Sequence, residues 1–62
     1  MKFEDDGNNS ITVYFDDDGI AGEISIPRQL DCYCFTGRGV TYSPENVYNI
    51  LFKLQDLNKR LP

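Results

Sequence analysis

The sequence predicts an α+β domain, a small antiparallel β-meander of three to four strands with one C-terminal α-helix packed on one face. Three observations carry this. Residues 43–61 repeat apolar side chains at steps of three and four behind a helix-start signal. Residues 10–15 and 20–26 alternate apolar with polar or small side chains, as half-buried strands do. Clusters of Asp, Gly, Pro and Arg punctuate the chain between these runs.

In chain order, residues 1–9 are largely polar and end in Gly7-Asn8-Asn9, which reads as a loose N-terminus with at most a short strand at Lys2–Glu4. The strand at about 10–15 sets Ile11, Val13 and Phe15 on one side and Thr12 and Tyr14 on the other. Asp16-Asp17-Asp18-Gly19 is a turn, with Gly19 free to take a positive φ. The strand at about 20–26 alternates again, with Ile20, Gly22, Ile24 and Ile26 together. An even loop across the Asp run places Ile20, Ile24 and Ile26 on the face of Ile11, Val13 and Phe15. An odd loop sets them against Thr12 and Tyr14 unless a bulge restores the match. The even register is the one expected.

Pro27-Arg28-Gln29 breaks the second strand, and a strand at about 30–35 follows. A short loop over 27–29 pairs Leu30 with Ile26 and Cys32 with Ile24, so both cysteines join the helix-facing core. A Gly-Arg-Gly turn leads to a short strand at about 40–42. The helix, about 44–61, starts at Ser43-Pro44-Glu45: a capping hydroxyl, a proline suited to the first turn, and an acid at the positive end of the dipole. Val47, Ile50, Leu51, Leu54, Leu57 and Leu61 form its stripe, Lys59 and Arg60 occupy the last turn, and Pro62 cannot continue the run. Residues 10–62 thus make a single domain, and a chain of 62 residues buries only about 60% of its unfolded surface, so oligomerisation often supplements such a core.

One helix covers one side of the sheet. The other side is expected to hold Thr12, Tyr14, Glu23, Asp31, Tyr33, Phe35, Val40 and Tyr42. The aromatic members, Tyr14, Tyr33, Phe35 and Tyr42, are then an interface, most simply with a second copy, which makes the protein a homodimer.

The net charge is −4 and unevenly placed: residues 1–27 hold seven acids against Lys2, and residues 28–62 hold five bases against three acids. An acidic chain is repelled by phosphate backbones, so direct nucleic-acid binding is disfavoured and a protein partner with a basic surface is favoured. Asp5, Asp6, Asp16, Asp17, Asp18 and Glu23 are the candidate partner-binding residues. No apolar run approaches the ~20 residues of a membrane span and no signal-peptide pattern follows Met1, so the expected location is cytoplasmic.

Catalysis is not expected. The chain has no histidine, the commonest general base and nucleophile activator, and so short a domain leaves little room for a cleft with paired carboxylates. Cys32-x-Cys34 is a single knuckle where zinc needs four ligands, and alternate positions on one strand lie too far apart for easy disulfide geometry, so both read as buried free thiols. Asp6-x-Asn8-x-Ser10 opens like a calcium loop with Asp17 at its twelfth position, yet the glycine required sixth is Ile11. No metal or cofactor is expected.

The leading reading is a small acidic non-catalytic protein-binding module. Its specific form is a stoichiometric inhibitor, of the kind viruses and mobile elements use, whose acidic loops occupy a basic nucleic-acid-binding surface. The alternatives are a homo-oligomeric accessory subunit joined through the aromatic sheet face, and a sheet that stacks single-stranded RNA on those aromatics near Arg28 and Arg38.

Overall fold

Among residues 1–61, which the computed structural model describes, there are four strands and one helix: β1 (Lys2–Gly7), β2 (Ser10–Tyr14), β3 (Ile20–Ser25), β4 (Cys34–Gly37) and α1 (Pro44–Lys59). The strands form one antiparallel sheet in the order β1-β2-β3-β4. The architecture is the α+β meander with a C-terminal helix that the sequence predicts. Pro62, expected to end the helix, lies outside the described residues.

The N-terminus is the first correction. Residues 2–7 are not loose; they are the outer strand of the sheet, paired from Lys2↔Tyr14 to Gly7↔Ser10. The turn explains why. Asn8 and Asn9 both adopt positive φ, at 54° and 62°, which is the two-residue turn whose twist matches paired strands, and Asn tolerates that conformation better than other side-chain-bearing residues. Gly7, at φ 82°, follows an irregularity at Asp6, and its N–H donates to Asp5 Oδ1 at 2.8 Å. Turn formers that suggested a frayed end are instead the hairpin. β1 is polar because Phe3, opposite Val13, is its apolar anchor, and charged residues are what an edge strand tolerates.

The β2–β3 connection is an odd loop corrected by a bulge. Phe15 N–H donates to Gly19 O at 2.8 Å and Asp18 N–H to Phe15 O at 3.0 Å. Asp16, Asp17 and Asp18 are the loop, and Asp18 rather than Gly19 takes the left-handed conformation, at φ 69°. Tyr14 therefore pairs with Ile20, and the ladder then skips Ala21 so that Val13 meets Gly22 and Ile11 meets Ile24. Ile11, Val13 and Ile24 share the core face as expected. Ile20 does not: it sits exposed beside Tyr14, and Ala21 is buried in its place.

The β3–β4 connection overturns the expected strand at 30–35. The loop runs through Ile26–Tyr33, turning where Leu30 N–H donates to Pro27 O at 3.1 Å, and β4 pairs as Ile24↔Phe35 and Ser25↔Cys34. That longer loop has the opposite parity to a three-residue turn, and because side chains alternate with period two, every residue of the strand changes face. Phe35 and Tyr33 thus pack on the core, while Cys34 lies with Ser25 on the solvent side.

Residues 40–42 form no strand. Instead Tyr42 folds over the sheet. Its ring lies 5.9 Å from Phe15 and 5.7 Å from Phe35 between centroids, and its hydroxyl donates to the carbonyl of Ala21, the residue the bulge leaves out of the ladder. Phe35 lies so close over Gly22 that an added Cβ would stand 2.7 Å from its ring and 2.4 Å from the Thr36 carbonyl oxygen.

Helix α1 is started by a reciprocal cap. Ser43 Oγ accepts from Asn46 N–H and Asn46 Oδ1 accepts from Ser43 N–H, both at 3.1 Å, with Pro44 in the first turn. Ile50 is its buried residue and Leu54 and Leu57 pack on the sheet, whereas Val47 and Leu51, expected in the same stripe, face outward. The Lys53 ammonium sits 5.6 Å from the centre of the Phe3 ring. Near the helix end, Asn58 Oδ1 accepts from Tyr33 N–H at 2.6 Å while Asn58 Nδ2 donates to Tyr33 O at 3.2 Å. The buried core is Ile11, Val13, Ala21, Ile24 and Ile50, closed on one side by Leu54 and Leu57 and elsewhere by Phe3, Phe15, Tyr33, Phe35 and Tyr42.

Candidate functional site

The acidic residues are held in two separate places. Asp5 and Asp6 sit at the β1–β2 turn, where Asp5 accepts from Gly7 N–H and Asp6 from the Thr12 hydroxyl. Asp16, Asp17 and Asp18 occupy the opposite end of β2. With a strand rise of about 3.3 Å per residue, the two groups are on the order of 17 Å apart. Within the second group, Asp16 accepts from the Met1 ammonium at 2.8 Å, Asp17 from Gly19 N–H at 3.0 Å, and Asp18 pairs with Lys2 Nζ at 2.6 Å. The hydrogen bond from the Met1 ammonium, and then its charge, hold the Asp16 carboxyl below the usual carboxylate range. The hydrogen bond to Asp18 holds the Lys2 ammonium above its usual value. Glu23 is apart from both groups, exposed in mid-sheet between Thr12 and Thr36.

The expected aromatic sheet face does not assemble. Tyr33, Phe35 and Tyr42 pack against Ile11, Val13, Ala21 and Ile24, for the parity reason given above. Tyr14 alone of the four stays on the solvent face, paired with Lys2 on one side and Ile20 on the other, and the same face carries Glu4, Thr12, Glu23 and Thr36. A wide, shallow depression lined by Lys2, Phe3, Glu4, Tyr14 and Asp18 runs along that edge. Within it the Lys2 ammonium pairs with the Asp18 carboxylate, and Glu4 is its other charged group. Among the described residues, no three His, Cys, Asp or Glu side chains are grouped to hold a metal ion, and no helix is long and apolar enough to cross a membrane.

The outer flank of α1 joins two residues expected in the core stripe, Val47 and Leu51, to two that the stripe does not include, Tyr48 and Phe52, and the structure leaves all four outside. Val47, Tyr48, Leu51 and Phe52 are 54%, 57%, 48% and 55% exposed. Spaced i, i+1, i+4 and i+5, they form one continuous stripe, and the Tyr48 and Phe52 rings meet edge to face at 4.8 Å. Their open surface is on the order of 400 Å², a size that on small monomers commonly marks a functional patch. A depression lined by Phe52, Gln55, Asp56 and Lys59 continues it toward the helix end, where Asp56 pairs with Arg60 at 3.0 Å. The sequence did carry a signal for this flank. At 100° per residue, the apolar side chains from Leu57 round to Phe52 subtend about 220° of the helix, roughly twice what one supporting surface needs.

Comparison with protein families, with curated proteins and with solved structures gives no match to this chain. The functional reading therefore rests on its own residues.

Proposed function

We propose that this chain is a small non-catalytic protein-binding module that docks a partner on the outer flank of α1. The observation that supports the reading is the stripe of Val47, Tyr48, Leu51 and Phe52, left about half exposed on a domain with five buried apolar side chains among the described residues. Burying a large apolar side chain is worth roughly 1.5–3 kcal/mol. A fold this small that leaves four of them open on one flank gains most from a surface that covers them. Large aromatics in the middle of such a patch, with polar groups at its rim, are the composition of an interaction hot spot.

The charge distribution adds the partner's character. The N-terminal two hairpins carry the excess of acid, and exposed carboxylates steer association with a basic protein rather than supply its affinity. A partner that binds nucleic acid presents such a surface, and a module seated there excludes the nucleic acid; stoichiometric inhibition is the specific form of this reading. The RNA-stacking alternative has lost its platform, since Tyr33, Phe35 and Tyr42 pack on the core.

The test compares three forms of the chain as bait in extracts of the source cells, with light scattering on each. The wild type should recover a partner. Tyr48→Ser/Phe52→Ser should lose it, and Asp16→Asn/Asp17→Asn/Asp18→Asn should keep it with weaker binding and a flatter salt dependence. A double serine variant that recovers everything the wild type does would overturn the helix-flank assignment. A wild-type dimer that the same variant converts to monomer would assign the flank to self-association instead.

A further inference from the structure

Cys32 and Cys34 are not the buried strand residues that their spacing suggests. Cys32 lies in a bend before β4 with its side chain exposed, and Cys34 opens β4 on the solvent side, half-buried. In a continuous strand, side chains two residues apart stand about 6.5 Å apart. Here the two Sγ atoms are 3.8 Å apart, in contact, and Cys34 Sγ is also 3.6 Å from the Cys32 carbonyl oxygen.

The bend that closes this distance is built. Tyr33, the residue between the cysteines, has both backbone groups held by the side chain of Asn58, from an element 25 positions along the chain. Its ring is anchored in the core. With Tyr33 fixed, the neighbouring side chains leave the same face of the bend and converge. No third ligand joins them among the described residues, so the pair is not a closed metal site. Neither thiol packs in the core, so it is not a hydrophobic filler either.

We propose that Cys32 and Cys34 form a reversible two-electron redox pair, in which Cys32 meets the oxidant and Cys34 resolves the adduct. The oxidant is a low-molecular-weight disulfide. The Cys32 thiolate attacks one of its sulfurs, the S–S bond breaks, and the departing thiolate takes a proton and leaves as a free thiol. Cys34 then gives up its proton and attacks Cys32 Sγ, the mixed disulfide breaks, and the second small thiol departs. Two protein thiols lose two electrons and two protons, and one small disulfide becomes two thiols. The order follows from access: Cys32 is exposed, while Cys34 is half-buried and burial pushes its thiol above the usual range. Closing the ring asks the sulfurs to approach from 3.8 Å to about 2.05 Å over a very short loop. The product is strained and easily reduced, which suits a cycling pair rather than a structural bridge.

The experiment incubates the full chain in oxidised and reduced glutathione at set ratios, quenches with acid, alkylates free thiols and measures intact mass. The expected product is a monomer that takes up no alkylating agent, has lost two hydrogens, and returns to the dithiol with excess reduced glutathione. Cys34→Ser should stop at a stable glutathione adduct on Cys32. Cys32→Ser should react at least about tenfold more slowly than Cys34→Ser, as an obstructed thiol does. Wild-type chain that instead accumulates as the glutathione adduct, or as a disulfide-linked dimer, with no internal bridge at any ratio would overturn the proposal. So would equal reactivity of the two single variants.

Discussion

Replacing Tyr42 by Phe removes one oxygen atom and isolates its work. That hydroxyl accepts from Arg38 N–H at 3.3 Å and donates to the Ala21 carbonyl. The two bonds are not equivalent. Arg38 is exposed, so water replaces the lost acceptor at little cost. Ala21 is 0% exposed and is the residue that the bulge drops from the β2–β3 ladder, so its carbonyl loses a partner where water does not reach. A stranded buried acceptor costs about 1–3 kcal/mol, and 2 kcal/mol is the central expectation. In a domain of this size that lowers the melting temperature by on the order of 10 °C. The assay is thermal unfolding by circular dichroism, with Tyr48→Phe as the control. Tyr48 loses the same atom from an exposed ring, and its melting temperature should move by less than about 3 °C. If Tyr42→Phe and Tyr48→Phe melt together, the bulge does not depend on the Tyr42 hydroxyl and the account of how β3 is held is wrong.

Two further outcomes follow from the same geometry. Gly22→Ala places a methyl 2.4 Å from the Thr36 carbonyl oxygen and 2.7 Å from the Phe35 ring, so β4 must separate from β3; denaturant titration should show a loss of about 2 kcal/mol or more, and a loss under about 0.5 kcal/mol would contradict that contact. Asp16 has a folded-state carboxyl lowered by the Met1 ammonium, so its contribution is present above the unfolded value of about 3.9 and is lost as the pH falls through the lowered folded value. Melting temperatures of wild type and Asp16→Asn should therefore differ at pH 6 and converge as the pH drops below 4. Parallel curves through that range would remove the ion pair from the account.

Much of the fold was legible because local chemistry and packing agree. Ile11, Val13 and Ile24 alternate in short strands and end up on one buried face, and Ser43-Pro44 starts a helix where a capping pair forms. What was not legible depends on turn length. A single unseen parity change between Ser25 and Cys34 moved Tyr33, Phe35 and Cys34 to the faces opposite those expected. Asn8-Asn9 has the composition of a frayed end and of a hairpin turn alike, and only pairing with Ser10–Tyr14 distinguishes them. The acidic residues were visible as candidates, but composition says nothing of their division between two ends of a strand. The helix flank is visible too, as an apolar arc wider than one sheet can cover, but periodicity alone does not say which edge of that arc meets the sheet, and Val47 and Leu51 fall on the open side.

The two margins of the sheet bear on how the molecule can meet others. On one side β1 presents Lys2, Glu4, Asp5 and Asp6 and is kinked before Gly7. On the other, β4 is only four residues long, and the Asn58 carboxamide occupies the backbone N–H and C=O of Tyr33 just before it, as a neighbouring strand would. The charged side chains and kink of β1, and the shortness of β4 with Asn58 beside it, both work against strand addition at the sheet borders. What the molecule leaves open is side-chain surface on a helix. Contacts made there can form and dissolve without any strand being repaired or refolded, which favours partnerships that exchange over assemblies that lock.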